Sequence, residues 1–286
     1  MKLSVCIITL NEEANIGRTL KSVQPLVADG QGEVIVVDSG STDRTVEIAK
    51  SFGAKVFTEP WKGFAAQKNS AIEKAQGEWI LSLDADEEVS GEARQEFLGE
   101  LPRPLGSRTW SKEAVRDAVN RNVIKELGGN KIEAKFIGFY SPRKNLFLDK
   151  WMRWGGFYPD KKLRFFRRGW GMFESRRVHE DVVLQTPITA DLHGVIIHHA
   201  YPTLSGYIEH MNKYSSLGAE MEIEKSRRGF SLINIVFRPW LTFIYNYFFR
   251  LGFLDGKEGL LLHMYHAVYV SWKYAKVWEL SRKKAD

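Results

Sequence analysis

Cysteine is almost absent from this 286-residue sequence: Cys6 stands alone, so no disulfide can form within the chain. It lies in the apolar run Leu3–Leu10 and reads as a small core residue rather than a reactive thiol. Long uncharged apolar runs are missing as well. A membrane-spanning helix needs about 20 predominantly apolar residues. The most apolar stretch, 229–254, is cut by Arg238, Pro239 and Arg250 into charge-free pieces of 9 residues (Gly229–Phe237) and 11 residues (Pro239–Phe249). The first apolar run is short and passes straight into Asn11-Glu12-Glu13, unlike a secretory leader, so a cytoplasmic location is expected. Two phosphate-binding signatures are also missing. There is no G-x-G-x-x-G after the first strand and no G-x-x-x-x-G-K-[ST], which disfavours a dinucleotide oxidoreductase and a P-loop nucleotidase.

Charge is present but divided. Residues 1–100 carry 10 Lys or Arg against 17 Asp or Glu, whereas residues 101–286 carry 31 against 18. An acidic front and a basic, aromatic back suggest two jobs on one chain. A basic half can face nucleic acid, an anionic membrane or an anionic substrate. Its aromatic residues follow no nucleic-acid-binding motif, so a non-enzymatic nucleic-acid binder is an alternative and nucleic acid is not an expected partner.

The first hundred residues alternate strand and helix signals. Strands are expected at Leu3–Thr9, Glu33–Asp38, Ala54–Phe57 and Glu78–Leu83; helices at about Ala14–Val27 and Gly63–Ala75, with Thr42 as the N-cap of another. Strands separated by single helices run parallel, and continuous apolar runs such as Val34–Val37 fit strands covered on both faces. The expected fold is α/β, with a doubly wound, mostly parallel sheet. Ligands of such sheets gather at the carboxyl ends of the strands. Here those ends carry Thr9-Leu10-Asn11, Asp38-Ser39 and Asp84-Ala85-Asp86. Beyond them, Pro102 and Pro104 introduce a charged helix expected at Ser111–Leu127, an excursion from the main domain.

Two carboxylates at i and i+2 after a strand can reach one hard cation, Mg²⁺ or Mn²⁺, with phosphate oxygens completing the shell. Glu87 and Glu88 add charge that is costly without a cation. The alternative for Asp84-Ala85-Asp86 is an acidic turn capping the next helix. Asp38 can accept hydrogen bonds from a base or ribose, or it can cap a helix, as can Asp43. Arg164 and Arg167 suit a bidentate diphosphate clamp or a solvated basic strand. His198-His199 offers a further metal ligand. His263 and His266, three apart in a Leu/Tyr-rich helix, read as a packed face rather than a zinc site.

Four stretches then resemble one family: Ile7-Ile-Thr-Leu-Asn-Glu-Glu13, Val36-Val-Asp-Ser-Gly-Ser-Thr-Asp43, Gln67-Lys68-Asn69 and Gly77-Glu-Trp-Ile-Leu-Ser-Leu-Asp-Ala-Asp86. They are similar to family-2 inverting glycosyltransferases of the GT-A fold. Trp154-Gly-Gly-Phe-Tyr-Pro-Asp160, Leu163-Arg-Phe-Phe-Arg167, Val178-His-Glu180 and Gly252-Phe-Leu-Asp-Gly256 resemble the subgroup that includes lipopolysaccharide-core β-1,4-glucosyltransferases, relative to which the 105–134 segment is extra.

The resemblance implies a GT-A catalytic domain over 1–200. In the helical, aromatic-rich region over 201–286, the stretch rich in Trp, Tyr and Phe with flanking Arg reads from its residues as a helix lying on a membrane surface, or else as a core helix or a contact between copies. The resemblance also implies a nucleotide-sugar donor, UDP-linked first, bound by Thr9, Asn11, Glu12, Asp38, Lys68, Asp84 and Arg164. It implies a divalent cation on Asp86 and Asp84, with His199 as an added candidate. The acceptor would be a saccharide or glycolipid of the cell envelope, at the cytoplasmic face of the inner membrane. The subgroup's His-Glu pair implies Glu180 as the base, while the Glu-Asp pair of other members keeps Asp181 as the alternative. A metal-dependent nucleotidyltransferase is the other enzymatic reading, although Asn11-Glu-Glu13 is a poor substitute for its Gly-rich phosphate loop.

Overall fold

The computed structural model describes residues 3–98, 136–174, 181–186, 188–225 and 230–283. The expected helix at Ser111–Leu127, the 105–134 segment and Val178-His179-Glu180 lie outside these residues. The chain divides into two units, one of Met1–Arg143 with Lys161–Ile197 and one of Lys144–Asp160 with His198–Asp286.

The first unit is built on the expected alternation. Strands β1 (Leu3–Thr9), β2 (Gly32–Asp38), β3 (Lys55–Thr58) and β4 (Trp79–Asp84) lie in the order β3-β2-β1-β4, all parallel. Helices α1 (Ile16–Val27), α2 (Thr45–Ser51) and α3 (Phe64–Glu73) make the crossovers. Alternate side chains of one strand go to opposite faces. Val5 and Ile7 therefore join Ile16, Leu20 and Val23 of α1 in one core cluster. Cys6 and Ile8 join Ala71 of α3 in the other. The Cys6 thiol is buried, and burial together with the charge of Glu33 pushes its pKa above the ordinary thiol range.

The parallel pattern stops at β4. Its next neighbour, β8 (Asp160–Arg167), is antiparallel. The sheet continues through β6 (Gly138–Phe147) and β12 (Ile196–Tyr201) to β5 (Glu87–Val89). Strand β11 (Thr189–Asp191) runs parallel beside β6. Strands β9 (Gly171–Glu174) and β10 (Asp181–Leu184) form a separate antiparallel pair. Helix α4 (Gly91–Leu98) follows β5.

In the second unit, β7 (Lys150–Trp151) folds back on the end of β6. Helix α5 (Leu204–Glu224) and the long α7 (Gly256–Lys283) pack through Ala219, Ile223, Tyr274 and Val277. Between them runs α6 (Arg238–Ile244), continued at both ends by π-helical turns, Ile233–Phe237 and Tyr245–Phe249. Among the described residues no helix is long and apolar enough to cross a membrane.

Candidate functional site

Register brings the polar strand ends together. Thr9 pairs with Asp38 across β1 and β2, and Ile8 pairs with Asp84 across β1 and β4. Neighbouring strands lie about 4.8 Å apart, so three carboxyl-terminal strand ends present their polar residues side by side at one edge of the sheet.

Two loops at this edge lock each other. Asn11, with φ 54°, donates its backbone N–H to Ser41 Oγ at 2.8 Å, and its side-chain oxygen accepts the Thr42 N–H at 2.8 Å. The Glu12 N–H donates to Thr45 Oγ1 at 2.8 Å and the Glu13 N–H to Asp43 Oδ2 at 3.1 Å. Asp38 is buried and holds its own loop: Oδ2 accepts the N–H groups of Gly40 and Ser41 at 2.9 and 3.0 Å, and Oδ1 accepts the Ser41 hydroxyl. Helix α2 begins at Thr45 rather than just after Thr42. Asp43, not Thr42, accepts the Thr45 N–H at 3.0 Å, while Thr42 serves Asn11. The buried hydroxyls of Thr9 and Ser39 have no hydrogen-bond partner among the described residues. An orphaned buried hydroxyl is costly, and a ligand bound at the strand ends could satisfy both.

Asp84-Ala85-Asp86 occupies the tight turn between β4 and β5 and does not cap a helix; α4 starts beyond it, at Gly91. Both oxygens of Asp84 meet cations: Oδ1 lies 2.7 Å from Lys68 Nζ and Oδ2 lies 2.7 Å from Arg164 Nη2. Burial would raise the Asp84 pKa, but Lys68, Arg164 and Arg143 together hold it well below the usual carboxylate range. Glu12 behaves oppositely. Burial raises its pKa, the Asn15 amide pulls it down, and the negative charges of Asp86, Asp43 and Asp84 push it up again, for a net rise. Acidic side chains therefore converge here from the ends of β1, β2 and β4. Among the described residues, no three His, Cys, Asp or Glu side chains form a ready metal cage.

Residues 4–169 match the pattern of glycosyl transferase family 2. The chain belongs to that family. It is 30% identical over 291 residues to the lipopolysaccharide core biosynthesis glycosyltransferase LpsC of Rhizobium meliloti (strain 1021), a match covering 100% of this chain and 95% of LpsC. It is also 30% identical to the uncharacterized glycosyltransferase RT0209 of Rickettsia typhi, covering 100% and 89% of the two chains. Among solved structures, the mannosyltransferase PcManGT of Pyrobaculum calidifontis, in complex with GDP-Man and Mn²⁺, aligns with a TM-score of 0.49 at 14% identity, over 96% of this chain and 86% of the other.

The glycosyltransferase's acidic turn rests on a support that the sequence did not reveal. Glu87 is fully buried; its Oε1 lies 2.7 Å from Arg164 Nη2 and 3.1 Å from Arg143 Nη1, and its Oε2 accepts the Asp84 N–H at 3.0 Å. The Glu87 charge, expected to need a bound cation, is thus balanced by two arginines of the chain. Arg164, expected to clamp a diphosphate, bridges Asp84 and Glu87. Burial would lower its pKa, but those two carboxylates raise it beyond the ordinary guanidinium range. The alternation of β5, with Glu87 and Val89 buried and Glu88 less so, was the available signal, since Val89 marks the inward face.

Lys68 and Asn69 couple the turn to the β9–β10 pair. Lys68 is 2% exposed, and its ammonium lies 5.1 Å from the centre of the Phe173 ring. Asn69 clasps the Phe173 backbone, donating to its carbonyl and accepting its N–H, both at 2.8 Å. Asp181 opens β10, is exposed and pairs in register with Glu174. Glu180 immediately precedes the described residues of β10.

The remaining motif residues lie in the second unit. Asp255 of Gly252–Gly256 is buried and accepts the N–H groups of Arg153 and Trp154 at 3.2 and 2.9 Å. Gly155 and Gly156 have φ of 68° and 90°; a Cβ on the first would strike the His263 ring, and one on the second the Arg250 guanidinium. Both glycines of Trp154-Gly-Gly-Phe157 are thus required by packing. His198 Nδ1 lies 2.8 Å from Asn145 Oδ1, and His199 follows it on β12.

Proposed function

We propose that the chain transfers a sugar from a nucleoside-diphosphate donor, UDP-linked first, to a saccharide or glycolipid acceptor, inverting the anomeric centre. The observation that carries this reading is the convergence of Thr9, Asp38, Asp84 and Asp86 at three adjacent strand ends. Identity to LpsC along the whole chain supports an acceptor in the lipopolysaccharide core or another cell-envelope glycan, reached at the cytoplasmic face of the inner membrane. We assign catalysis to residues 1–200 and a supporting, surface-contacting role to 201–286.

In this reading the loops of Asn11–Glu12 and Asp38–Ser41 receive the nucleoside, and the orphaned hydroxyls of Thr9 and Ser39 bond to it. The raised pKa of Glu12 marks an excess of negative charge, which fits a divalent cation, Mg²⁺ or Mn²⁺. Asp86 would hold it, with Asp84 beside it and His199 as a second candidate. When bound, such a cation neutralises charge developing on the departing diphosphate. Lys68 and Arg164 hold Asp84 ionised and fixed, so the turn is organised before the donor arrives. Glu180 is the carboxylate we assign to remove the acceptor hydroxyl proton, with Asp181 as the alternative.

Thermal unfolding with nucleoside diphosphates and Mn²⁺ or Mg²⁺ tests the donor site. One nucleotide with its cation should stabilise the fold by about 2–3 kcal/mol near 100 times Kd. No stabilisation by any common nucleotide with either metal would sink the reading. Asp86→Asn should remove the cation-dependent part, and His199→Ala reports whether His199 shares it. Glu180→Gln should abolish transfer and keep nucleotide binding; unchanged turnover moves the base to Asp181. Release of a nucleoside diphosphate rather than pyrophosphate separates this function from nucleotidyl transfer.

A further inference from the structure

In the helical run Ile233–Phe249 most of the large apolar side chains are exposed, while Ile235 packs inward against α5 and α7. Arg238 is the one charged residue in that stretch. Ile233 is 69% exposed, Phe237 53%, Trp240 60%, Leu241 57%, Tyr245 57% and Phe249 75%. Steps of three and four residues put these six on one stripe. The other side of the run meets its own unit: Pro239 is buried, Arg238 donates to the Tyr274 hydroxyl, and the Ile235 carbonyl accepts Ser271 Oγ at 2.8 Å. A water-facing helix has the reverse polarity. An exposed apolar surface of this extent marks an interaction site.

Charge identifies the partner. From Lys225 to Lys257 the sequence has six Lys or Arg and a single acidic residue, Asp255. Asp255 is buried and used by the Arg153 and Trp154 N–H groups. Glu258, just beyond, is paired with Lys150 at 2.9 Å. Lys225 and Lys257 are exposed at the two ends of this stretch, beside Glu224 and Glu258, and the stretch between them has an excess of five positive charges, which complements anionic lipid headgroups. Trp and Tyr rings favour the boundary between headgroups and acyl chains. Arg238, midway along the run, prevents a transmembrane course but suits a helix lying in the membrane plane. An isologous pairing of two copies would instead set these cationic margins against one another.

We propose that Ile233–Phe249 is an in-plane anchor that seats this chain on an anionic lipid bilayer. It stands independently of the donor and acceptor chemistry, since docking requires no nucleotide. The test is cosedimentation of the full chain with vesicles of phosphatidylcholine alone and of phosphatidylcholine with phosphatidylglycerol. Binding is expected on the anionic vesicles, weakened about tenfold or more on neutral ones or in high salt. Trp240→Ser with Phe249→Ser should weaken it about tenfold or more while the nucleotide-induced thermal shift persists. Should that double variant not fold, Lys257→Glu, whose side chain is 88% exposed, should weaken anionic-vesicle binding by about fivefold. Absence of binding to anionic vesicles, or wild-type binding by a folded variant, overturns the proposal. So does a wild-type dimer that the double variant converts to monomer without any vesicle binding, because a second copy would then cover the stripe.

Discussion

The two units differ in how they distribute polar and apolar groups. In the first, a network of opposite charges is buried beneath the strand ends: Glu87 with Arg164 and Arg143, Asp84 with Lys68 and Arg164. In the second, buried Asp255 is held by backbone N–H groups, but buried His263, 1% exposed, has no hydrogen-bond partner for either ring nitrogen among the described residues. Its apolar residues, meanwhile, emerge at the surface along Ile233–Phe249. Paired buried charge fixes geometry, which a site for chemistry needs. Exposed apolar surface fixes no geometry but favours transfer to a less aqueous environment.

The strongest way to break this contrast is to remove one partner of the buried charge network. Arg164→Met leaves Glu87 with Arg143 alone and Asp84 with Lys68 alone, and should cost about 3–5 kcal/mol, read from urea or thermal unfolding. Combining it with Glu87→Gln should cost less than the sum, because both act on one network. Near-zero loss from Arg164→Met would mean that the network is not holding the acidic turn.

A smaller effect is expected from Asn69→Ala, which removes both bonds to the Phe173 backbone, about 1–3 kcal/mol in all. Hydrogen exchange should rise in β9 and β10 and not in β1 or β2. Sugar transfer should fall more than nucleotide binding, since β10 begins with Asp181, the alternative base of the proposed mechanism. Uniform protection across the sheet would remove Asn69 from the positioning role.

The smallest effect sharpens the second unit. Burial first, then His266 and Arg250, lowers the His263 pKa from 6.5 to about 4. The unfolded chain therefore binds the proton more readily than the folded one between these values. The stability contributed by neutral His263 is complete above pH 6.5 and is lost as pH falls through about 4. Thermal melts of His263→Asn should lack that slope, with some stability lost at neutral pH; an unchanged slope would assign it to other groups.

Much of the front half was legible because its signals are local. The apolar runs of β1, β2 and β4 are each long enough to cross a sheet, and the positions after them are polar, so the site's edge could be read directly. Thr42 misled because Thr, Asp and Thr in Ser41–Thr45 all suit a helix start; Asn11, thirty-one residues away, decided which one served. The one antiparallel neighbour of β4, β8, fits a sheet expected to be mostly rather than wholly parallel.

The sequence by itself determined the parallel four-strand core and the acidic strand ends, because period-two burial and strand-end polarity depend on neighbours along the chain. It also determined the family, through residues 4–169. Only the tertiary structure decided which charges compensate one another: Arg164 meets Asp84 and Glu87 across 80 and 77 residues, and Arg143 meets Glu87 across 56. No local pattern specifies such pairs, since a buried charge is tolerated only where folding happens to bring its partner. The same holds for the outward stripe of Ile233–Phe249. Its composition suits a membrane-surface helix, a core helix or a contact between copies, and only packing against α7 fixes which side is left facing out.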